Sequence, residues 1–229
     1  NILSNNMANI FTSSIGKKLI MSITGLFLIV FLCLHVTINS FVFFGDEAFN
    51  HGCEFMALPV VSLMVPVLAA GFIIHIIYAF YLSYTNLKAR GADRYAVSNK
   101  SKAESWAAKN MLILGIIVLG CIAFHLTDFW AHMQLQEFTG GHATENPSEL
   151  LYITFGKPWL TVLYILWFVA LWFHLTHGFW SALHTLGWNN NIWIGRLRVI
   201  SYIFASIIFL AFTAVALFCC LKANGILFA

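Results

Sequence analysis

Nine histidines stand in this chain, and four of them lie where imidazole is least expected. His35, His75, His125 and His174 each sit inside a separate long apolar stretch. An ionisable or metal-capable side chain within a lipid-buried helix is costly and marks a functional candidate. Taken singly, each reads equally well as an interhelical hydrogen bond. Four together, one per stretch, point to a shared task such as ligation. The fourth stretch also carries His177, one turn on and nearly on the face of His174, and His184 close to its end. His177 is the rival to His174. The remaining His51, His132 and His142 fall in loops without ligand spacing and read as solvent-exposed.

The elements that must position these histidines follow from composition. Of 229 residues, 60% are hydrophobic, 16% aromatic and only 9% Asp, Glu, Lys or Arg. A soluble domain carries about 25% charged residues. So few charges do not cover a water-exposed surface, and a mean hydropathy of +0.83 suits a protein dissolved in lipid. Soluble enzyme, disordered linker and nucleic-acid binder are excluded. Five stretches reach the roughly 20 residues needed to span a bilayer: about 19–44, 58–87, 111–131, 158–187 and 197–221. Backbone groups in lipid must bond internally, so each span is expected to be a helix. The fold class is therefore all-α, a single membrane domain over 1–229 built as a bundle of five transmembrane helices. Pro59 and Pro158 stand at helix starts, where a missing N–H costs nothing, and Pro66 is expected to kink the second span.

The basic residues orient the bundle. Lys17, Lys18, Lys88, Arg90, Arg94, Lys100, Lys102, Lys109, Arg196 and Arg198 fall on one side; Lys157 and Lys222 fall on the other. That second side holds Asp46, Glu47, Glu54, Glu137, Glu145 and Glu149. The positive-inside rule then puts the N-terminus in the cytoplasm and the C-terminus outside. The first span is too long for a signal-peptide core and reads as an anchor. The five cysteines show no C-x-x-C spacing and read as small buried hydrophobes.

Depth sorts the four histidines into two levels. At 1.5 Å per residue, His35 lies roughly 14 Å and His125 roughly 9–14 Å below the outer boundary. His75 and His174 each lie about sixteen residues in, roughly 24 Å down. Imidazoles facing each other across a bundle are what a bis-histidine haem iron requires. Two such pairs make two stacked haems. Gly71 and Gly178, each four residues from His75 or His174, share a face with them and leave room for a flat macrocycle, or alternatively for close helix packing. Thr37, Thr127 and Thr176, two places after three of the histidines, point away from the ligand and are expected to bond back to their own helices.

On these residues the chain resembles the di-haem cytochrome b membrane subunit of succinate:quinone oxidoreductases and quinol:fumarate reductases, of the single-polypeptide, five-helix type. The resemblance runs from Ser13-Ser14-Ile15-Gly16-Lys17-Lys18 through the fifth span. It rests most on Gly25-Leu26-Phe27…Leu34-His35, Gly71…His75, Phe124-His125-Leu126 and Phe173-His174-Leu175-Thr176-His177-Gly178. The last matches a family pattern of His, three residues, then Gly, which favours His174 over His177. The resemblance implies two haem b groups, an outer (distal) one on His35 and His125 and an inner (proximal) one on His75 and His174. It implies a propionate contact at Ser22 and a second at Trp106. It implies flavoprotein and iron–sulfur partner subunits on the cytoplasmic face, the bacterial inner membrane as location, and room for a dimer of the whole complex. Its quinone site, for menaquinone or menaquinol, lies near the distal haem.

Glu54, just ahead of the second span, is the best-placed carboxylate to accept a quinol proton there, with an exposed loop acid as the plain alternative. Some family members carry a glutamate two residues before the span-four ligand, whereas this chain has Trp172. The expected function is electron transfer between quinone and a cytoplasmic fumarate/succinate site. The alternatives are a cytochrome b subunit of a membrane hydrogenase or formate dehydrogenase and, in a different class, a histidine-using metal or proton-coupled transporter. The sequence shows no inverted repeat to favour a transporter, and Asp128 is one of few carboxylates within a span.

Overall fold

Ser13 opens the first long helix. Its side chain accepts a hydrogen bond from the Gly16 N–H at 3.0 Å, satisfying one donor that a helix start leaves unpaired. The computed structural model describes residues 13–90, 106–141, 146–188 and 190–227. Arg94, Lys100, Lys102, His142, Glu145 and residues 1–6 lie outside the described residues, as do the side chains of Arg90 and Glu137.

Every described element is helical. In chain order they are α1 (Ser14–Ser40), a 3₁₀ turn (Phe41–Phe44), α2 (Asp46–Ala57), α3 (Pro59–Ser62), α4 (Met64–Arg90), α5 (Trp106–Lys109) and α6 (Met111–His125). A π-helical stretch (Leu126–Leu135), α7 (Gln136–Thr139), α8 (Pro147–Phe155), α9 (Pro158–Thr185) and α10 (Asn191–Ala223) follow. Five segments are long and apolar enough to cross a membrane: Ser14–Phe44, Pro59–Ala89, Met111–Leu135, Pro158–Thr185 and Asn191–Ala223. This is a multi-pass, all-helical membrane protein.

Local chemistry explains the boundaries. Pro147 and Pro158 begin α8 and α9. The Asn190 side chain caps α10 by accepting from the Trp193 N–H at 2.8 Å. Gly45, at φ +112°, turns the chain between the 3₁₀ turn and α2, a conformation that a side chain would strain. The expected kink at Pro66 takes a different form. The helix breaks one turn earlier, at Leu63, between α3 and α4. Pro66 has no N–H to offer the Ser62 carbonyl, so the last carbonyls of α3 are released and the two pieces separate there.

α9 is the central helix, packed against α10 most extensively and also against α1 and α6; α1 in turn carries α4. Burial follows this order, with the last two spans most enclosed and the second least. Outward residues such as Ile74, Ile77, Phe80 and Val199 are apolar and exposed, as a lipid-facing surface requires. Cys219 is fully buried against the core at one end, consistent with cysteine as a small hydrophobe.

Cations and aromatic rings mark the end where the chain is basic. Lys17 Nζ donates to the Tyr81 hydroxyl at 2.8 Å, and the Arg198 guanidinium lies 4.8 Å from the Trp180 ring centre. Such rings with snorkelling cations are the usual furniture of a membrane–water boundary.

The opposite end is closed by a polar knot. Lys222 Nζ, at the end of α10, donates to Asp46 Oδ1 of α2 and to the Tyr152 hydroxyl of α8, both at 2.8 Å. The Tyr152 hydroxyl donates to the same Asp46 oxygen. Partial burial pushes the Asp46 carboxyl upward, but hydrogen bonds from Lys222 and Tyr152 outweigh it and hold it below the usual carboxylate range. A depressed folded-state value means the knot stabilises the fold above the unfolded carboxyl value, near pH 4, and that this contribution fades as pH falls through the folded value. We expect Lys222→Met to cost about 0.5–1 kcal/mol at neutral pH, the range of a part-exposed ion pair. It should also flatten the acid-side loss of thermal stability, measured as the unfolding midpoint in detergent from pH 7 to pH 3.

Candidate cofactor site

The helices bring the four span histidines together in two pairs. The His35 ring of α1 and the His125 ring of α6 meet edge to face, with centres 5.5 Å apart. The His75 ring of α4 and the His174 ring of α9 lie 6.5 Å apart at an interplanar angle of 64°. His177, the rival on α9, instead meets the Trp180 ring edge-on at 5.2 Å. His184 also meets that indole, with ring centres 6.1 Å apart.

Two glycines fix the vertical relation of the pairs. A Cβ on Gly25 of α1 would stand 3.3 Å from His75 Cε1, and one on Gly115 of α6 would stand 3.7 Å from His174 Cε1. Each glycine therefore marks, on its own helix, the level of the His75–His174 pair. Gly25 and His35 are ten residues apart on α1, as are Gly115 and His125 on α6. At 1.5 Å per residue, the two pairs are separated by ~15 Å along the bundle. Thus α1 and α6 each give a histidine to one level and a glycine to the other.

The glycines expected beside the histidines do other work. A Cβ on Gly71 would come within 2.9 Å of the Phe27 ring, and one on Gly178 within 3.4 Å of the Met111 methyl. Those two positions admit close packing of α1 on α4 and of α6 on α9. The face rule picked neighbours along the same helix, whereas the rings lean across to glycines on adjacent helices. The signal that finds the right pair is the shared ten-residue offset from Gly25 to His35 and from Gly115 to His125.

The residues suit a metal held between imidazoles. A metal–imidazole bond of about 2 Å puts two rings on opposite sides of one metal roughly 6 Å apart between centres, close to both observed separations. No group of three or more His, Cys, Asp or Glu gathers among the described residues. A haem suits such a pair of imidazoles, because its iron brings its remaining donors with it. His174 Nδ1 is buried with no hydrogen-bond partner among the described residues. The walls are apolar and aromatic: Phe31 stacks on His35 at 5.5 Å, Phe129 lies 5.2 Å from His125, and Phe212 of α10 lies 5.9 Å from His35.

The other candidate residues fall at distinct places. Ser22 is buried on α1, one turn before Gly25 and so near the level of the His75–His174 pair. Trp106, on α5, is exposed and packs on Phe173, the neighbour of His174, with ring centres 5.0 Å apart. Glu54 lies on α2, exposed, accepting from His51 Nδ1 at 2.9 Å. That bond and Glu54's charge hold the His51 imidazolium above its usual range. The adjoining Cys53 thiol is pushed up to about 12, first by burial and then by Glu54. Asp128, on the π-helical stretch, accepts from the Tyr164 hydroxyl at 2.8 Å, a bond between the third and fourth spans.

The indole of Trp172 donates to Ser206 Oγ at 3.0 Å and ties α9 to α10. Thr37, Thr127 and Thr176 donate to the carbonyls of Cys33, Phe124 and Phe173 on their own helices, as expected. One contact was not anticipated from the sequence. Thr24 Oγ1 lies 3.3 Å from His75 Nδ1.

Over 190 residues the chain is 25% identical to the succinate dehydrogenase cytochrome b558 subunit of Bacillus subtilis (strain 168), an alignment covering 82% of this chain and 86% of that protein. The two are distant homologues over most of their length. No family model and no solved structure matches the sequence.

Proposed function

We propose that this chain is the cytochrome b membrane subunit of a succinate dehydrogenase or fumarate reductase complex. It anchors the complex and carries electrons between a menaquinone site near the outer face and a cytoplasmic flavoprotein and iron–sulfur module that interconverts fumarate and succinate. The observation that carries this reading is the pair of imidazole pairs, stacked ~15 Å apart along the bundle. A single ligand pair would serve one centre; two levels suit a path across the membrane. The homologue's name supports the coarser part of it, a succinate dehydrogenase cytochrome b membrane subunit.

In this reading His35 and His125 hold the distal haem, and His75 and His174 the proximal one. Each haem, when bound, supplies one-electron exchange at its iron. The chain contributes the ligands, an aromatic sheath that excludes water, and glycines that let the proximal rings approach the neighbouring helices. Ser22 and Trp106 lie at the proximal level, where haem carboxylates need polar partners. Glu54 accepts one of the two protons released on quinol oxidation at the outer end. Trp172 and its Ser206 bond fill the place where a relay glutamate stands in some relatives, so protons released outside are not returned through that position.

The orientation draws support from the polar knot. Of the two lysines on the acidic side, Lys222 is paired with Asp46, and Lys157 is the other. The excess of Lys and Arg at the other end then makes it the cytoplasmic face, in a bacterial inner membrane, where the partner subunits dock.

The test is a reduced-minus-oxidised absorption spectrum of the complex extracted gently in detergent. Two b haems per chain and a copurifying flavin-bearing subunit are expected. A colourless chain would overturn the reading, and two haems with a hydrogenase or formate dehydrogenase partner would redirect it.

A further inference from the structure

The two histidines of the inner pair are held differently, and the difference fixes where a proton sits. His174 Nδ1 is buried without a hydrogen-bond partner among the described residues. His75 Nδ1 instead faces the hydroxyl of Thr24 on α1, at 3.3 Å. A threonine hydroxyl has one proton to donate and two lone pairs with which to accept. That proton is already committed within α1, to the carbonyls of Ile20 at 2.9 Å and Met21 at 3.1 Å. Towards His75 the hydroxyl can therefore only accept. An accepting hydroxyl at this place requires the proton to be on Nδ1.

The next residue sets the approach. Gly25 lies against the same edge of the ring, where a Cβ would stand 3.3 Å from Cε1 and 3.6 Å from Nδ1. A side chain there would push the imidazole away from Thr24. The Thr24–Gly25 pair thus combines an acceptor with the space needed to reach it. Which imidazole nitrogen is free to bind a metal is set by the hydrogen bond the other makes.

We propose that Thr24 is a positioning residue for the inner haem: by accepting the Nδ1 proton of His75 it fixes the tautomer and turns the Nε2 lone pair to the iron. The proposal rests on the haem reading of the His75–His174 pair. An acceptor at Nδ1–H also raises the basicity of the ligating nitrogen, which favours the oxidised iron and lowers the potential of that haem. Among the described residues His174 Nδ1 has no such acceptor, so the effect enters through His75.

The experiment is a redox titration of both haems, followed by absorption and electron paramagnetic resonance, in the intact complex and in four variants. His75→Ala first identifies the inner haem as the one it removes. Thr24→Val keeps the shape of the side chain and removes the acceptor. It should raise the inner haem's potential by about 59 mV, a tenfold shift in a one-electron equilibrium, and alter that haem's resonance while leaving the outer haem unmoved. Thr24→Ser should retain native values, which a purely space-filling role would not predict. Should Thr24→Val fail to accumulate, Thr24→Ala carries the same comparison against Thr24→Ser. If His75→Ala leaves both haems in place, the haem reading of this pair falls and Thr24 with it. If His75→Ala removes a haem whose potential and resonance are indifferent to the loss of the Thr24 hydroxyl, Thr24 alone falls. A shift confined to the outer haem would likewise overturn the proposal.

Discussion

Replacing either His75 or His174 by alanine is expected to remove one and the same haem, while His35→Ala or His125→Ala removes the other. Each single variant should lose about half of the b-type absorbance, and a double variant within one pair should lose no more than either single one. Combining one residue from each pair should abolish the signal. The expectation comes from the ring contacts, which join α1 to α6 at one level and α4 to α9 at the other. An iron left with one axial imidazole in an apolar slot is released or becomes high-spin, both visible in the spectrum. His177→Ala is the informative control. Its ring packs edge-on against Trp180, whereas His174 is the ring that meets His75, so both haems should persist. An empty inner site in His177→Ala with a full one in His174→Ala would show that the register on α9 is off by one turn.

Glu54→Gln is expected to reduce quinol-dependent turnover about 100-fold, the lower end of what a positioned proton acceptor contributes. Both haems and the attachment of the partner subunits should be retained. Electrons supplied to the partner subunits by an artificial donor should still reduce fumarate at the native rate, because that chemistry lies outside this chain. Glu54 is exposed and bonded to His51, five residues before the second span begins at Pro59. The substitution therefore removes an ionisable group without opening a cavity. It has a second readout that does not depend on turnover. Glu54 holds the His51 imidazolium above its usual range, so in the Gln variant the His51 titration followed by NMR should move down towards the value of a free histidine. If His51 moves while quinol turnover stays native, Glu54 is an exposed acid outside the quinone site. Asp128, bonded to Tyr164, would then become the carboxylate to replace.

The five spans were legible in the chain alone because lipid leaves the backbone no choice. Twenty apolar residues in a row must satisfy their own hydrogen bonds, and a helix is how they do so. Helical rise then turned sequence number into depth, so His35 could be grouped with His125, and His75 with His174, before any tertiary contact was known. The three threonines two places after a histidine were legible for the same reason, since their carbonyl partners lie within one turn of their own helix.

What crosses between helices was not legible, because spacing along one helix carries no record of how its neighbours are rotated about their axes. Gly71 and Gly178 share a face with their histidines, yet they receive Phe27 and Met111. The rings of His75 and His174 come to rest on Gly25 and Gly115, each on a different helix from the ring it meets. Thr24 carried no signal in the sequence: it bonds within its own helix, and only the approach of α4 to α1 adds the His75 contact. Pro66 is an intermediate case. That it would disturb the second span follows from its missing N–H, but the break falls at Leu63 because the carbonyls it orphans lie a turn upstream, at the end of α3. Composition and period determined which residues lie at which height, and rotation and tilt of packed helices decided which of them touch.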